Sequence, residues 1–170
     1  MRKRTSFALI AATLAVTIAA GMGFDSAPAS AGPKQRAEES TRAFLAALER
    51  KDVAAVNATI DKDATLTIPL SFSGAQQPEA HFVGKEQVAG YIGQVFATME
   101  TIRFTDVRVS VTDRGRTAFV QANGDFTTAD GRSYRNVYVF RHDWKNGRIV
   151  RTEEYGNPVT FCKTFGGPNC

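Results

Sequence analysis

Glu154 and Tyr138 are the two side chains of this sequence best placed to do chemistry. Both lie in runs of alternating hydrophobicity that predict strands, and we expect both to face inward. A carboxyl group buried among apolar walls can act as a general acid or base, and a phenol can donate to a ligand oxygen. The alternative is structural: Glu154 accepts hydrogen bonds from Tyr138 or Asn136, and a neighbour satisfies the Tyr138 hydroxyl.

Three amide side chains are predicted to face inward beside them. Gln121 and Asn123 share one strand with Phe119, also predicted inward, and Asn136 lies on the next strand. Amides form hydrogen bonds but do not transfer protons at neutral pH, so we expect them to orient a ligand. A register shift of one residue would turn each of these side chains outward.

The two histidines give no sign of a metal site. His81 is expected near the pocket mouth, as a solvated side chain or a proton carrier. His142 is expected on the surface, close to the last hairpin. Because no Asp, Glu and His cluster accompanies them, we expect no metal, and we expect no cofactor.

Aromatic side chains are numerous enough to wall a pocket. Twelve phenylalanines could line a cavity or fill an ordinary core, and both interpretations stay open. The candidate walls are Phe44, Phe72, Phe82, Tyr91, Phe96, Phe104, Phe119, Tyr138 and Phe140.

Glycine turns separate the strands that must position these groups. Asp113-Arg114-Gly115, Asp130-Gly131 and Asn146-Gly147 are typical of tight hairpins. The alternating runs between them predict an antiparallel meander. Its four strands are expected over 102–112, 116–127, 133–144 and 148–156.

Helical spacing precedes the meander. A first helix is predicted over 35–51, a second after the N-cap Asp52, and a third over 85–98. Residues 63–72 alternate as a strand, but Pro69 cannot donate a ladder hydrogen bond, so the strand should end near it or lie at an edge. Helices on one face of such a sheet predict an α+β fold enclosing a cavity.

The first residues resemble an export signal. Arg2, Lys3 and Arg4 precede an apolar run of about 14 residues, which is short for a membrane span. We expect cleavage after Ala31, a secreted protein, and no stable membrane anchor afterwards. The leader carries half of the formal net charge of +4, and no basic run suggests nucleic-acid binding.

The remaining chain is predicted to form one domain. The expected division is a signal peptide over 1–31, a flexible start over 32–36, a domain over 37–160 and a tail over 161–170. Cys162 and Cys170 in that tail favour a disulfide in an exported protein. A metal pair or a redox pair would need a CxxC motif or a nearby histidine, and the sequence has neither there.

Five segments of the sequence form a recognisable series: TRAFLAAL (41–48), DATLTIP (63–69), FVGKE (82–86), NGRI (146–149) and EYGNP (154–158). Together they resemble ketosteroid isomerases and SnoaL-like polyketide cyclases, members of the nuclear transport factor 2 superfamily. The resemblance covers roughly 37–165 and implies a cone-shaped α+β fold with three N-terminal helices, a curved and mostly antiparallel sheet, a deep pocket and frequent homodimers.

The resemblance also indicates which reaction of the family this chain is not expected to catalyse. In a ketosteroid isomerase the catalytic base immediately precedes the strand proline, and that position holds Ile68 here. The helix tyrosine donor corresponds to Phe44, and the second donor corresponds to Tyr138. Classical isomerisation is therefore not expected, and Ile68 and Phe44 become expected pocket walls.

Three functional hypotheses follow. The leading one is an exported domain that binds a small apolar or cyclic molecule. A second is a ligand-free homodimeric interaction module, whose sheet forms the dimer and whose cavity is filled with side chains. A third is a cyclase- or isomerase-type enzyme that uses Glu154 as acid or base. An enclosed void on the order of 300 Å³ or more would favour ligand binding, and a closed core would favour the module.

Overall fold

The structure is a computed structural model that describes residues 31–112, 114–168 and 170. The predicted signal peptide, apart from Ala31, lies outside this part of the chain, and its cleavage stays a prediction. Asp113 of the first predicted turn also lies outside it.

Four α-helices and seven β-strands form within these residues, which confirms the predicted α+β class. The helices are α1 (Pro33–Glu49), α2 (Val53–Thr59), α3 (Lys85–Thr98) and α4 (Pro158–Phe165). The strands are β1 (Ile60–Ile68), β2 (Ala80–Val83), β3 (Met99–Thr101), β4 (Phe104–Val111), β5 (Thr117–Thr128), β6 (Ser133–Lys145) and β7 (Arg148–Gly156).

The three predicted N-terminal helices are present. On α1, Ala37, Thr41 and Phe44 are buried at intervals of three and four residues, so one stripe faces the sheet. The predicted cap of α2 is confirmed, because Asp52 Oδ1 accepts a hydrogen bond from the Ala55 N–H at 3.0 Å. Helix α3 follows Gly84, whose φ of 83° favours glycine.

The strands form one mixed sheet in the order β2-β1-β7-β6-β5, with β3 and β4 both paired to the far edge of β5. Strands β1 and β7 run parallel, and the other pairs are antiparallel. The four predicted meander strands match β4 to β7 within about two residues. Strands β2 and β3 were not predicted, because runs of four and three residues are too short to show alternation.

Strand β1 begins at Ile60 and ends at Ile68, earlier than the predicted 63–72. Pro69 has no N–H, so the ladder stops immediately before it. The predicted alternation within the strand holds, since Ala64 and Leu66 are buried. Ile68 is partly buried at the end of this inward series.

The predicted register of β5 is wrong by one residue. Phe119, Gln121 and Asn123 lie on the exposed outer face of the sheet, and Phe119 is 42% exposed. The inward positions alternate with them, beginning with Ala118 and Val120. Small residues occupy much of this inward series, so the hydrophobic signal pointed to the wrong face.

A fourth helix, α4, spans Pro158–Phe165 and so includes the first half of the tail predicted over 161–170. Asn157 caps α4 by accepting hydrogen bonds from the N–H groups of Val159 and Thr160. The predicted disulfide joins Cys162 to Cys170, with their Cα atoms 5.4 Å apart. It ties the last turn of α4 to the residues that follow.

Two buried clusters form the core between the helices and the inner sheet face. One includes Phe44 and Trp144, and the other includes Leu45, Val120 and Phe126. Among the residues described, no helix has both the length and the hydropathy to cross a bilayer.

Candidate functional site

Two adjoining cavities lie within the core. The inner cavity has a volume of about 140 Å³ and the outer cavity about 270 Å³. Five side chains line both, and we call them the waist: Tyr91, Tyr134, Tyr138, Glu154 and Phe161. The hollow predicted from the sequence is therefore present, divided into two parts.

The inner cavity is mainly apolar. Its walls include Phe44 from α1 and Phe96 from α3, both expected from the sequence. His142 and Thr152 contribute polar atoms from β6 and β7. Two further expected walls found here are Phe104 and Phe140.

The outer cavity carries more polar side chains. Its expected walls are Ile68, Phe72 and Phe82. Phe72, from the loop after β1, stacks on Phe161 of α4 with ring centroids 4.2 Å apart. This stack joins two segments at the side of the outer cavity. The polar lining comes from Gln94, Asn136 and Asn157, together with Glu79.

Glu154 faces inward as predicted. Its register partner across the sheet is Phe140, a buried core residue, and the Glu154 side chain lines both cavities. Burial raises the pKa of its carboxyl group to about 7, and a hydrogen bond from Tyr91 opposes part of that shift. Near neutral pH, Glu154 can therefore both accept and donate a proton.

Tyr91 is the hydrogen-bond partner of Glu154. Its hydroxyl donates to Glu154 Oε2 at 3.1 Å, and its ring stacks on Phe82 at 4.8 Å. Burial and the neighbouring carboxylate raise the pKa of Tyr91 well above its ordinary value, so the phenol stays protonated. The structural alternative named Tyr138 or Asn136 as this partner; Tyr91 occupies that role instead.

Asn136 connects β6 to the start of α4. Its Oδ1 accepts hydrogen bonds from the N–H groups of Val137 and Asn157, at 2.8 and 3.0 Å. Its Nδ2 donates to the Tyr134 hydroxyl oxygen at 2.6 Å. Asn136 faces inward as predicted and lines the outer cavity.

Tyr138 lies at the waist as expected, held between aromatic rings. It stacks on Phe126 and Phe140 with centroid distances of 5.7 and 5.3 Å. Burial raises the pKa of Tyr138 well above its ordinary value, so this hydroxyl also stays protonated.

The prediction that His142 lies on the surface is wrong. The residue is 1% exposed, its Nδ1 lies 3.0 Å from Thr152 Oγ1, and its Nε2 has no hydrogen-bond partner. Burial lowers the pKa of its imidazole to about 4, so it is neutral at pH 7. Counting by twos along β6 from Tyr138 would have placed it inward.

His81 remains at the surface, where its ring hydrogen-bonds with the Thr67 hydroxyl at 2.8 Å. Two waist residues, Tyr134 and Phe161, were not predicted from the sequence. The same alternation from Tyr138 reaches Tyr134, whereas Phe161 lies on α4, a helix that was not predicted. In the part of the chain that the structure describes, no group of three or more His, Cys, Asp or Glu side chains could hold a metal ion.

A family model for the SnoaL-like domain matches residues 41–152, more than half of the chain. The chain belongs to the SnoaL-like family. Among related proteins, YesE of Bacillus subtilis (strain 168) is 26% identical over 134 residues, covering 78% of this chain and 89% of YesE.

Solved structures share the fold of this SnoaL-like chain. A Bacillus subtilis protein described as a proposed isomerase superposes with a TM-score of 0.70 and 24% identity, covering 82% of this chain and all of that one. A nuclear transport factor 2-like protein of Burkholderia pseudomallei K96243 gives 0.65 and 20%, covering 78% and 98%. These likenesses establish a nuclear transport factor 2-like α+β fold with a curved mixed sheet.

Proposed function

We propose that this protein binds a small, mainly apolar molecule across the two cavities and transfers a proton on it through Glu154. The observation that carries the proposal is the position of Glu154, a carboxyl group with a pKa of about 7 at the waist. A buried carboxyl between two hollows is accessible to a ligand and poised at neutral pH. The apolar walls select a hydrophobic body.

The reaction class is proton abstraction beside a carbonyl group. The Glu154 carboxylate takes a proton from the carbon next to the carbonyl, the C–H bond breaks, and its electron pair moves to the carbonyl oxygen as an enolate. Protonated Glu154 then returns the proton to the same or another carbon. The neutral Tyr91 hydroxyl donates to Glu154 Oε2 and holds the carboxyl group in place.

This proposal combines two of the three hypotheses formed from the sequence: the domain that binds a small molecule and the enzyme that uses Glu154 as acid or base. The ligand-free module required a cavity filled with side chains, and two open cavities speak against that premise. A solved relative in fold is described as a proposed isomerase, which is the same broad class of chemistry. Ile68 and Phe44 both line the cavities, so neither supplies a base or hydroxyl there.

Deuterium exchange tests the proposal. In buffered D₂O the wild-type protein is expected to accelerate exchange at the carbon next to the carbonyl of 1-tetralone, an apolar cyclic ketone, followed by proton NMR. Glu154→Gln should reduce the protein-dependent rate about 100-fold, since the amide cannot accept the proton. The rate should rise with pH, reach half of its maximum near pH 7, and level off about two pH units higher, where the carboxylate is fully formed.

Glu153→Gln is the matched control. Glu153 is next in the chain but contacts Arg141 and Tyr155 rather than the cavities. Its variant should keep the wild-type exchange rate. An equal rate for wild type and Glu154→Gln would contradict the catalytic part of the proposal, and failure of 1-tetralone to bind would contradict the binding part.

Export is a further part of the proposal. It is supported by the basic and apolar leader and by the Cys162–Cys170 disulfide, a crosslink typical of oxidising compartments. Protein recovered from the culture medium of an exporting bacterial host should begin at Gly32 by intact mass. Retention of residues 1–31 would contradict it.

A further inference from the structure

The charged side chains that line the outer cavity are all acidic. They are Glu79 and Glu154, and the described residues lining this cavity include no lysine, arginine or histidine. The whole sequence has a formal net charge of +4, so the cavity is opposite in sign to the rest of the chain. A cavity whose fixed charges share one sign attracts ligands of the opposite sign.

Hydrogen bonds from neutral donors hold both carboxyl groups in place. Oε2 of Glu79 accepts a hydrogen bond from the Phe72 N–H at 2.9 Å, and the Glu79 N–H donates to the Ile68 carbonyl oxygen at 2.9 Å. Oε2 of Glu154 accepts from the Tyr91 hydroxyl at 3.1 Å. Because these donors are an amide and a phenol, neither bond cancels the negative charge of a carboxylate.

Aromatic rings form a large part of the remaining wall of the outer cavity. Phe72 stacks on Phe161 with ring centroids 4.2 Å apart, and Phe82 stacks on Tyr91 at 4.8 Å. All four rings line the cavity. The face of an aromatic ring carries partial negative charge and attracts organic cations, quaternary ammonium groups above all. Rings and carboxyl groups in one cavity therefore favour the same kind of ligand.

We propose that the outer cavity binds an organic ammonium group, either protonated or quaternary, while the apolar body of the same ligand passes the waist into the inner cavity. The inference rests on the proposed function, because it needs a ligand that spans both cavities. It deepens that function by naming the ligand class: an amine or quaternary ammonium compound with a hydrophobic body.

The difference between the two cavities fixes the orientation of the ligand. The inner cavity shares Glu154 with the outer one but has mainly hydrocarbon walls, and its His142 is neutral. A cation enclosed there would lose its hydration without compensation. The outer cavity, of about 270 Å³, offers Glu79 and the side-chain amide of Gln94 in addition. The ammonium group therefore lies on the outer side of the waist.

A cation in the outer cavity would also act on Glu154. A nearby positive charge favours the carboxylate over the neutral acid, so the ligand itself would increase the form that abstracts a proton. Burial raises the pKa of the three waist tyrosines, which stay protonated near neutral pH. The titratable side chains among the described residues that line the two cavities are Glu79, Glu154, Tyr91, Tyr134, Tyr138 and His142.

The pH dependence of binding distinguishes a cation from an uncharged molecule of the same shape. Phenyltrimethylammonium carries a positive nitrogen where tert-butylbenzene carries a carbon, and NMR titrations of the protein give both dissociation constants at pH 6 and pH 8. Wild type should bind the cation about five- to tenfold more tightly at pH 8, because ionised Glu154 attracts it. It should bind tert-butylbenzene no more tightly at pH 8 than at pH 6.

Two carboxyl variants locate this effect. Glu154→Gln should abolish the pH dependence for phenyltrimethylammonium and leave its affinity near the wild-type value at pH 6. Glu153→Gln is the matched control, because Glu153 contacts Arg141 and Tyr155 rather than the cavities. It should keep the full pH dependence.

A ring variant tests the aromatic part of the site. Phe72→Leu keeps the backbone N–H that binds Glu79 and removes one ring, so it should weaken binding of the cation about three- to tenfold. Binding of tert-butylbenzene should change less than twofold. Phe119→Leu, on the outer face of the sheet, is the control and should bind both molecules as wild type does.

The wild-type measurements decide the inference even where a variant fails to fold. Equal affinity for phenyltrimethylammonium at pH 6 and pH 8 would overturn it, as would binding of tert-butylbenzene or 1-tetralone without binding of the cation. Both of these results leave the proposed function intact. Failure of wild type to bind any of the three molecules would instead overturn the proposed function and the inference with it.

Discussion

Two buried titratable side chains respond to pH in opposite directions. Burial raises the pKa of Glu154 to about 7, so the fold favours its protonated form, and the stability from this group is lost as pH rises from about 4.5 to 7. Burial lowers the pKa of His142 to about 4, so the unfolded chain takes up a proton first as pH falls below 6.5. The contribution of neutral His142 to the free energy of unfolding is therefore lost on acidification.

Glu154→Gln separates the two effects. The difference in unfolding free energy, variant minus wild type, should increase by about 2 kcal/mol between pH 5 and pH 7, because only wild type must ionise a buried carboxyl. Urea unfolding at several pH values measures this difference, and the His142 contribution cancels in it. A difference independent of pH would contradict the raised pKa.

The residues of the site were predictable where alternation started from a reliable anchor. Glu154 and Asn136 were placed inward correctly from the spacing of their own strands. His142 and Tyr134 share the inward phase of β6 with Tyr138. The nearby turn concealed this phase at His142, and the start of the strand concealed it at Tyr134. Which hydroxyl donates to which oxygen depends on three-dimensional distances that no spacing contains.

Among the elements, β5 is the strand whose inward and outward faces were exchanged in the prediction, and its packing explains why. Its inward face carries Gly124, where a Cβ atom would lie 2.7 Å from Tyr138 Cε2 and 3.2 Å from Phe126 Cε1. The aromatic rings of the core take the space that a side chain would otherwise fill. A sequence shows the missing side chain but not the ring that replaces it, so Phe119 was mistaken for an inward residue.

Gly124→Ala should therefore destabilise the fold by about 1–3 kcal/mol, because the added methyl displaces the Tyr138 ring. Chemical unfolding measures the change. Gly90→Ala on α3 is the control: no atom lies within 4 Å of its added Cβ, and the helix should gain up to about 1 kcal/mol. Equal effects of the two substitutions would argue against close packing at Gly124.

For the whole molecule, the outer face of the sheet has exposed apolar side chains. Val137 and Val139 on β6 are 57% and 38% exposed, and Phe119 on β5 lies diagonal to Val139 in the register. The resemblance noted in the sequence implies homodimers. The overall α+β order of elements was predictable from periodicity and turns, but this exposed cluster became recognisable only with the strand phases known.

We expect the protein to form a dimer through this outer face. Val139→Glu should raise the dimer dissociation constant at least about tenfold, because the charge would have to lose its water at the interface. Light scattering after size exclusion measures the mass. Val53→Glu on α2, 56% exposed away from the sheet, is the control and should leave the mass unchanged. A monomeric wild type would contradict the expectation.

The waist has a stereochemical consequence. A rigid, elongated guest that passes between Tyr134 and Glu154 cannot turn over without leaving, because aromatic rings hem it in on both sides. The carboxyl group of Glu154 then reaches only one face of a flat enolate. Deuterium taken up from the solvent would then enter on one face only. A ligand with two mirror-related hydrogens on that carbon would be released as one enantiomer of its deuterated form.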